Sequence, residues 1–404
     1  MKERYLNLME KALSAYTNEQ ILKYFNDVQE NGLTEHGFSR LTCNIGILIA
    51  HGKRCDLKDL FLQMMDFCAC SIPHVKAGND FSVREVVNCI DALSRFNAVE
   101  KSKLDFWKEQ ISSINPYECY NVIAKTENDH LFNWALFTAV SEYRRYSFGL
   151  GGSLDIIETQ LATQVKHLDE NGMYRDNYEY APMTYDFVSR LLFSTLLRLG
   201  YRGKYYKIID NAVKKAGLLT LKMQSSLGEI PFGGRSNQFL FNSALLSAVC
   251  EYEAVRYKNQ DKTLSGEFKN ASIKALNEIK TWLDKNPISH IKNRFSSDSK
   301  YGCESYAYFD KYIITLASYL YEAYLNCDET IKAVAENDTP VALETSNYFH
   351  AVFLRVGEYS LQFDLNANPN YDAHGLGRVH KKGAPSTICL SVPCPDKSNS
   401  FTSE

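Results

Sequence analysis

Apolar residues recur three and four positions apart along almost all of the first 337 residues, and then the pattern stops. Segments 4–15, 18–29, 36–51, 56–72, 81–96, 101–113, 130–146, 153–168, 183–199, 204–224, 237–257, 266–285 and 305–326 each carry this spacing, which only an α-helix gathers onto one face. Some, such as Leu131 to Val140, are apolar on most faces, as suits an inner helix covered by an outer one. Others, such as 153–168, alternate polar and apolar faces. A long run of helix pairs of this kind predicts a mainly α fold, an (α/α)6-type toroid of helical hairpins. An α-solenoid is the alternative, but no clean repeat of about 34 residues is visible.

Past Asp338-Thr-Pro340 the chain changes character. Tyr348 to Arg355, Tyr359 to Asp364 and Thr387 to Val392 are short, β-branched or alternating runs of strand type. Gly357-Glu358 makes a hairpin turn between the first two, and 366–386, rich in Asn, Gly, Pro and His, reads as a loop. The expected division is therefore a toroid domain at 1–337 and a β-rich part at 338–404. So few strands cannot bury a sheet alone. This short antiparallel part either packs on the helices or begins a larger β-sandwich.

Composition narrows the function. At 45% hydrophobic and 23% charged, the chain has the makeup of an ordinary soluble globular protein. Its net charge of -3 comes from interspersed signs with no basic block, so no nucleic-acid footprint is present. No run is apolar enough for a membrane span, and the N-terminus is a charged amphipathic helix without a signal-peptide core, so the expected location is the cytoplasm. The 11 cysteines are scattered. Cys43, Cys89 and Cys250 sit on apolar helix faces as inert thiols, and Cys68-Ala-Cys70 lacks zinc spacing. Neither a metal nor another cofactor is expected.

The segment Ser226 to Gln238 looks like a site. Gly228, Pro231, Gly233 and Gly234 bar a continuing helix, while Glu229, Arg235, Ser236, Asn237 and Gln238 offer a carboxylate, a guanidinium fork and neutral hydrogen-bonding groups. Loops held between rigid helices are where binding groups concentrate. The plain alternative is a helix connection capped by Ser236 or Asn237. Three further loops share its polar and aromatic character: Asn171 to Asp186, with Arg175, Tyr180, Tyr185 and Asp186; Tyr301 to Tyr312, with Tyr306; and Asn370 to Lys382, with His374, Arg378 and His380. In a toroid, loops at alternate helix junctions gather at one end of the cavity. Asn133, on an otherwise apolar helix, either bonds a neighbouring helix or faces a polar cavity.

The helical region followed by a β-part resembles the architecture of uronate-acting enzymes: heparinase II/III-like and alginate-lyase-like polysaccharide lyases, and glycoside hydrolase family 154, which includes β-glucuronidases. Asn133-Trp134, Gly228-Glu229, Phe232 to Gln238, Tyr306 to Tyr312 and His374 to His380 carry the resemblance, which covers about residues 120 to 395. The β-part is shorter than in those families. The resemblance implies an oligosaccharide or glycoside substrate containing uronic acid, and it leaves a homo-oligomer open.

Two chemistries compete. Hydrolysis needs two carboxyl groups flanking the glycosidic bond, for which Glu229 and Asp186 are the best pair; this β-glucuronidase-type reading stands ahead. Elimination needs the uronate charge neutralised and a Tyr or His to move protons. Tyr180 or Tyr185 with His374 or His380 would serve there. Arg235 is the carboxylate clamp in both, since its planar fork gives two parallel hydrogen bonds. The remaining contacts to the sugar are expected from Asn133, Arg175, Ser236, Asn237, Gln238, Tyr306 and Arg378. A non-catalytic scaffold binding a glycan or protein is the third reading, and it expects Glu229, Arg235 and His374 not to converge.

Overall fold

The computed structural model describes residues 1–176, 181–292, 306–368 and 374–384. Its helices in chain order are α1 (Lys2–Leu13), α2 (Asn18–Asn31), α3 (His36–Ala50), α4 (Lys58–Ser71), α5 (Asn79–Arg95), α6 (Lys101–Ser112), α7 (Pro116–Cys119), α8 (Asn133–Ser147), α9 (Leu154–Gln164), α10 (Met183–Arg198), α11 (Tyr206–Met223), α12 (Phe241–Tyr257), α13 (Lys262–Leu283) and α14 (Phe309–Asn326). Every segment of helical spacing is a helix. Only the short α7, a single turn opened by Pro116 under an Asn115 cap, lacks a periodic signal. No described helix is long and apolar enough to cross a membrane.

The chain divides into two compact units. One comprises Met9–Lys166 and Leu192–Ile209; the other comprises Met1–Leu8, His167–Leu191 and Asp210–Glu404. In the first, α3, α5 and α8 pack on one another, with α4, α6 and α9 against them. Helix α3 is buried from Gly37 to Ala50, whereas α2, fastened by a Thr17/Gln20 capping box, buries only the stripe Ile21, Phe25 and Val28. An all-round buried layer under an amphipathic one is the layering that an α/α toroid requires. The buried charges of α3 and α5 are matched: Arg40 and Arg84 both reach Glu85, at 2.8 and 3.1 Å.

In the second unit α12 packs on α13 and α14. Its strands are β1 (Val341–Glu344), β2 (Ala351–Val356), β3 (Tyr359–Asp364) and β4 (Gly375–Lys381), an antiparallel sheet in that order. The mainly helical class with a short antiparallel β-part thus holds, and these strands belong to the same compact unit as α11 to α14. Gly357 supplies the positive φ of the β2–β3 turn. Two expectations need correction. Residues 375–381, read as loop because of Gly375 and Gly377, form β4, with a register shift at Gln362/Phe363 that absorbs the irregularity. The strand expected from Tyr348 starts at Ala351, because His350 takes a positive φ. The strand expected at Thr387 to Val392 lies outside the described residues.

Half of the sheet's inner face is apolar. Leu343, Ala351 and Phe353 pack with Met173, Met183, Ala216, Met223 and Phe349. The other half, on β3 and β4, buries Ser360, Gln362, Asp364, Arg378 and His380; all of these but Asp364, which pairs with His350, meet the loop after α11. Deeper in this unit, the Lys269 ammonium lies 2.7 Å from Glu251, which also accepts from Tyr5 Oη at 2.9 Å and Ser272 Oγ at 3.0 Å. Burial works against the Lys269 charge, and Glu251 more than offsets it. Replacing Lys269 with Met would leave the Glu251 carboxylate buried and unmatched, so Lys269→Met is expected to lose about 3–5 kcal/mol in urea unfolding. Tyr5→Phe is expected to lose only about 1 kcal/mol.

Candidate functional site

The loop between α11 and α12 enters through a tight turn. Gly228 N–H donates to Ser225 O at 2.9 Å and Glu229 N–H to Ser225 Oγ at 3.0 Å. Gly228 has φ +94°, and a Cβ there would lie 2.8 Å from the Lys274 backbone, so glycine is needed twice over. The sheet then grips the loop. Ser226 N–H donates to Ser360 Oγ at 2.9 Å and Phe232 N–H to Gln362 Oε1 at 2.9 Å, while the Gln362 amide returns a hydrogen bond to Phe232 O. The Arg378 guanidinium sits 3.9 Å from the Phe232 ring centroid. At the far end Gly233 N–H donates to Asn237 Oδ1, and Lys292 N–H to Gln238 O at 2.7 Å. Asn237 and Gln238, expected to contact sugar, are buried here, and what they visibly do is hold the loop.

Ser236 is a non-glycine residue at φ +68°, a conformation that costs about 1–2 kcal/mol. Hydrogen bonds to both its carbonyl and its hydroxyl hold it there. Its carbonyl accepts from Thr184 Oγ1 at 3.2 Å and Asn242 Nδ2 at 2.8 Å, and its hydroxyl meets Tyr185 Oη at 3.1 Å and Tyr306 Oη at 2.7 Å. Strain held so firmly is a mark of a functional position. Beside this Tyr–Ser–Tyr chain of hydroxyls lies Arg235. Its guanidinium carbon is 4.4 Å from the Tyr185 ring centroid, and Nη2 is 3.1 Å from Asp176 Oδ2. The Arg235 side chain is 28% exposed, whereas Asp176 is wholly buried. Burial opposes the Arg235 charge, but Tyr185, Asp176 and Tyr306 outweigh it and hold the guanidinium firmly protonated.

The same loop carries Glu229, which is buried and does not share this opening. Glu229 Oε2 lies 3.3 Å from His380 Nε2, both side chains being 5% exposed. Burial pushes His380 below its ordinary value, with Arg378 and Lys292 adding to this and Glu229 opposing it. The neighbouring Glu278 carboxyl is raised by burial and by Glu229. The void here is about 20 Å³, room for roughly one water and not for a sugar ring.

The two expected carboxylates lie in separate sets of contacts. Asp186 is fully buried on α10, accepting from Tyr174 N–H at 2.8 Å and from Arg190 Nη2 at 2.7 Å. Burial lifts its pKa and Arg190 pulls it back. His374 is exposed at the entry to β4; the histidine brought to the loop is His380. Arg175 Nε donates to the His167 carbonyl at 3.2 Å. Asn133 opens α8 in the other unit, where it is buried. Tyr180 lies outside the described residues. Of the expected set, the structure joins Tyr185, Arg235, Ser236 and Tyr306 in one group and Glu229, Arg378 and His380 in another. Asp176 joins the first group unexpected, although it sits in one of the polar loops. Gln362 and Lys292 carry no local signal, since their partners are distant in sequence. Among the described residues no group of His, Cys, Asp and Glu is placed to hold a metal ion.

No family model and no curated protein sequence matches this chain. Similar solved structures include two carbohydrate-active proteins. A glycosyl hydrolase family 88 protein from Bacteroides vulgatus is 12% identical, over 76% of this chain and 98% of that one, at a TM-score of 0.47. A polysaccharide lyase is 13% identical, over 80% and 98%, at a TM-score of 0.43.

The end of the site loop carries a pH-dependent contribution. His290, whose carbonyl accepts from Leu240 N–H at 2.8 Å, is buried, and burial lowers its pKa from 6.5 to about 4. Between these values the unfolded chain binds the extra proton. The neutral histidine's contribution is thus complete above pH 6.5 and is lost as pH falls toward 4, by about 3 kcal/mol. His290→Gln is expected to lose this part of the acid sensitivity in urea unfolding followed across that window. An unchanged pH slope would contradict the assignment.

Proposed function

We propose that this protein is an enzyme acting on a uronic-acid-containing glycan, with Arg235 binding the uronate carboxylate. The observation that carries the reading is the half-open Arg235 fork. One edge is pinned by Asp176, its face is backed by Tyr185, and it lies beside the Tyr185–Ser236–Tyr306 hydroxyl chain. A guanidinium so fixed has N–H groups left for a planar anion.

Elimination suits these residues best. Arg235 would neutralise the uronate carboxylate and so acidify the C5 proton. One tyrosine oxygen would take that proton as the bond from C4 to the bridging oxygen breaks, leaving a C4–C5 double bond. The departing oxygen would be protonated from the other end of the hydroxyl chain. Hydrolysis of the β-glucuronidase type is the second reading. It needs two carboxyl groups at the glycosidic bond, and Asp176, the carboxylate nearest Arg235, is as fully buried as Asp186, so it is the weaker reading.

The test is a panel of glucuronides and uronic-acid oligosaccharides, read for ultraviolet absorbance of an unsaturated uronate and for free saturated sugar. Absorbance is expected. Saturated sugar without absorbance would favour hydrolysis, and neither signal would favour a glycan-binding scaffold. Arg235→Lys, which keeps a charge beside Asp176, is expected to lower kcat/KM about a hundredfold with little change in melting temperature. Turnover equal to the unaltered protein would overturn the clamp.

Ser236 separates activity from stability. Ser236→Gly removes the hydroxyl from the chain and relieves the left-handed backbone. Stability is expected to stay within about 1 kcal/mol while turnover falls at least about tenfold. Full activity in the glycine variant would remove the hydroxyl chain from the mechanism.

A further inference from the structure

The sheet is inverted in polarity. On β3 the residues facing the protein are Ser360, Gln362 and Asp364, and on β4 they are Arg378 and His380, all buried. The alternate positions, which the pleat turns the other way, are apolar: Val352 and Leu354 on β2, Leu361 and Phe363 on β3, Leu376 and Val379 on β4. The register sets them side by side, Val352 against Phe363 against Leu376 and Leu354 against Leu361 against Val379. They are half-buried or exposed, Leu376 being 50% exposed. With about 3.3 Å per residue and 4.8 Å between strands, the whole four-stranded face measures about 400 Å² and its apolar centre on three strands about half of that. A contiguous apolar patch rimmed by polar residues marks a candidate site of interaction.

Charge on the rim selects the occupant. Glu344, exposed on β1, pairs in register with Val352. It makes no ion pair among the described residues. Lys381, exposed on β4, pairs in register with Tyr359, and its ammonium lies 5.6 Å from that ring centroid. The two residues therefore occupy diagonally opposite corners of the face. A two-fold axis lying in the contact plane along the other diagonal exchanges those corners, so that each Glu344 meets the Lys381 of a second copy while the apolar centres meet each other. The strands then cross at nearly a right angle, one of the two standard sheet packings. Two-fold pairing needs such a self-complementary patch. We propose that the outer face of the sheet is a docking surface for a second copy of this chain, in an orthogonal sheet-on-sheet dimer closed by reciprocal Glu344–Lys381 pairs. The proposal stands independently of the glycan reading. With about 400 Å² per copy, about 800 Å² in all, the contact is smaller than a standard specific interface, so the pairing proposed is weak and concentration-dependent.

Sedimentation equilibrium of the whole chain from about 1 to about 200 μM tests this, and a concentration-dependent dimer is expected. Val379→Glu, a change on the solvent side of an edge strand, is expected to leave a monomer. Glu344→Lys and Lys381→Glu are each expected to weaken the dimer about tenfold, and the double exchange to restore it to within about threefold. Circular dichroism and melting curves confirm that the variants fold. Should Val379→Glu not fold, the charge exchange decides alone, because both rim residues are exposed. A monomer at every concentration would overturn the proposal and leave the face to another polypeptide. So would a dimer indifferent to Val379→Glu, or a double exchange no tighter than the single ones.

Discussion

The hydrogen bonds from β3 to the loop after α11 are the constraint on which the candidate site depends. A loop with this much glycine and proline cannot satisfy its own backbone, and buried N–H and C=O groups must find partners. Ser360 and Gln362 supply them, taking Ser226 N–H and Phe232 N–H and returning a bond to Phe232 O. Fixing Phe232 orders the rest of the loop. Asn237 caps Gly233 N–H, Ser236 is held in its left-handed conformation, and Arg235 is aimed at Asp176 and Tyr185. The strained residue lies four positions beyond the grip, and its strain is sustained by bonds from Thr184, Asn242, Tyr185 and Tyr306.

That task explains the reversed polarity of the sheet. A face that must donate to and accept from a loop has to carry Ser, Gln, Arg and His, and the apolar residues are then left on the opposite side of the pleat. The boundary is sharp. β1 and β2 face α11 with Leu343, Ala351 and Phe353, whereas β3 and β4 face the loop with polar groups. Each half of the inner face matches the element beneath it, and the outer face inherits the consequence.

This arrangement also decides what was legible in the sequence. Helical spacing reports burial on one side, and it marked every long helix with ends displaced by only a few residues. Strand β4 alternates from Arg378 to Lys381, with Arg378 and His380 inward and Val379 and Lys381 outward, and the register shift beside Gly377 turns Leu376 outward as well. Alternation read as apolar-inside therefore misplaces it, and two glycines complete the disguise. Arg235, Ser236, Tyr185 and Tyr306 were legible because loop chemistry is local. Their assembly was not, since Tyr306 is 70 residues from Ser236. The exchange of His374 for His380 follows from the same register: six positions along β4 separate an exposed end from a buried, inward-facing site.

Two arginine–aspartate pairs of the same residue types sit in different surroundings. Arg190–Asp186 and Arg235–Asp176 have nearly the same chemistry, at 2.7 and 3.1 Å, and both aspartates are fully buried. They differ in the arginine. Arg190 is 1% exposed and gives two further hydrogen bonds from Nη1, to Ala216 O and Thr220 Oγ1, so the pair is closed within the core. Arg235 is 28% exposed and lies against a tyrosine face. Its aspartate then orients a cation toward solvent instead of merely neutralising it. A buried ion pair gains little stability over an apolar replacement, whereas a half-open one retains donors for an incoming anion. Exposure of one partner, which no sequence motif encodes, separates the closed pair from the half-open one.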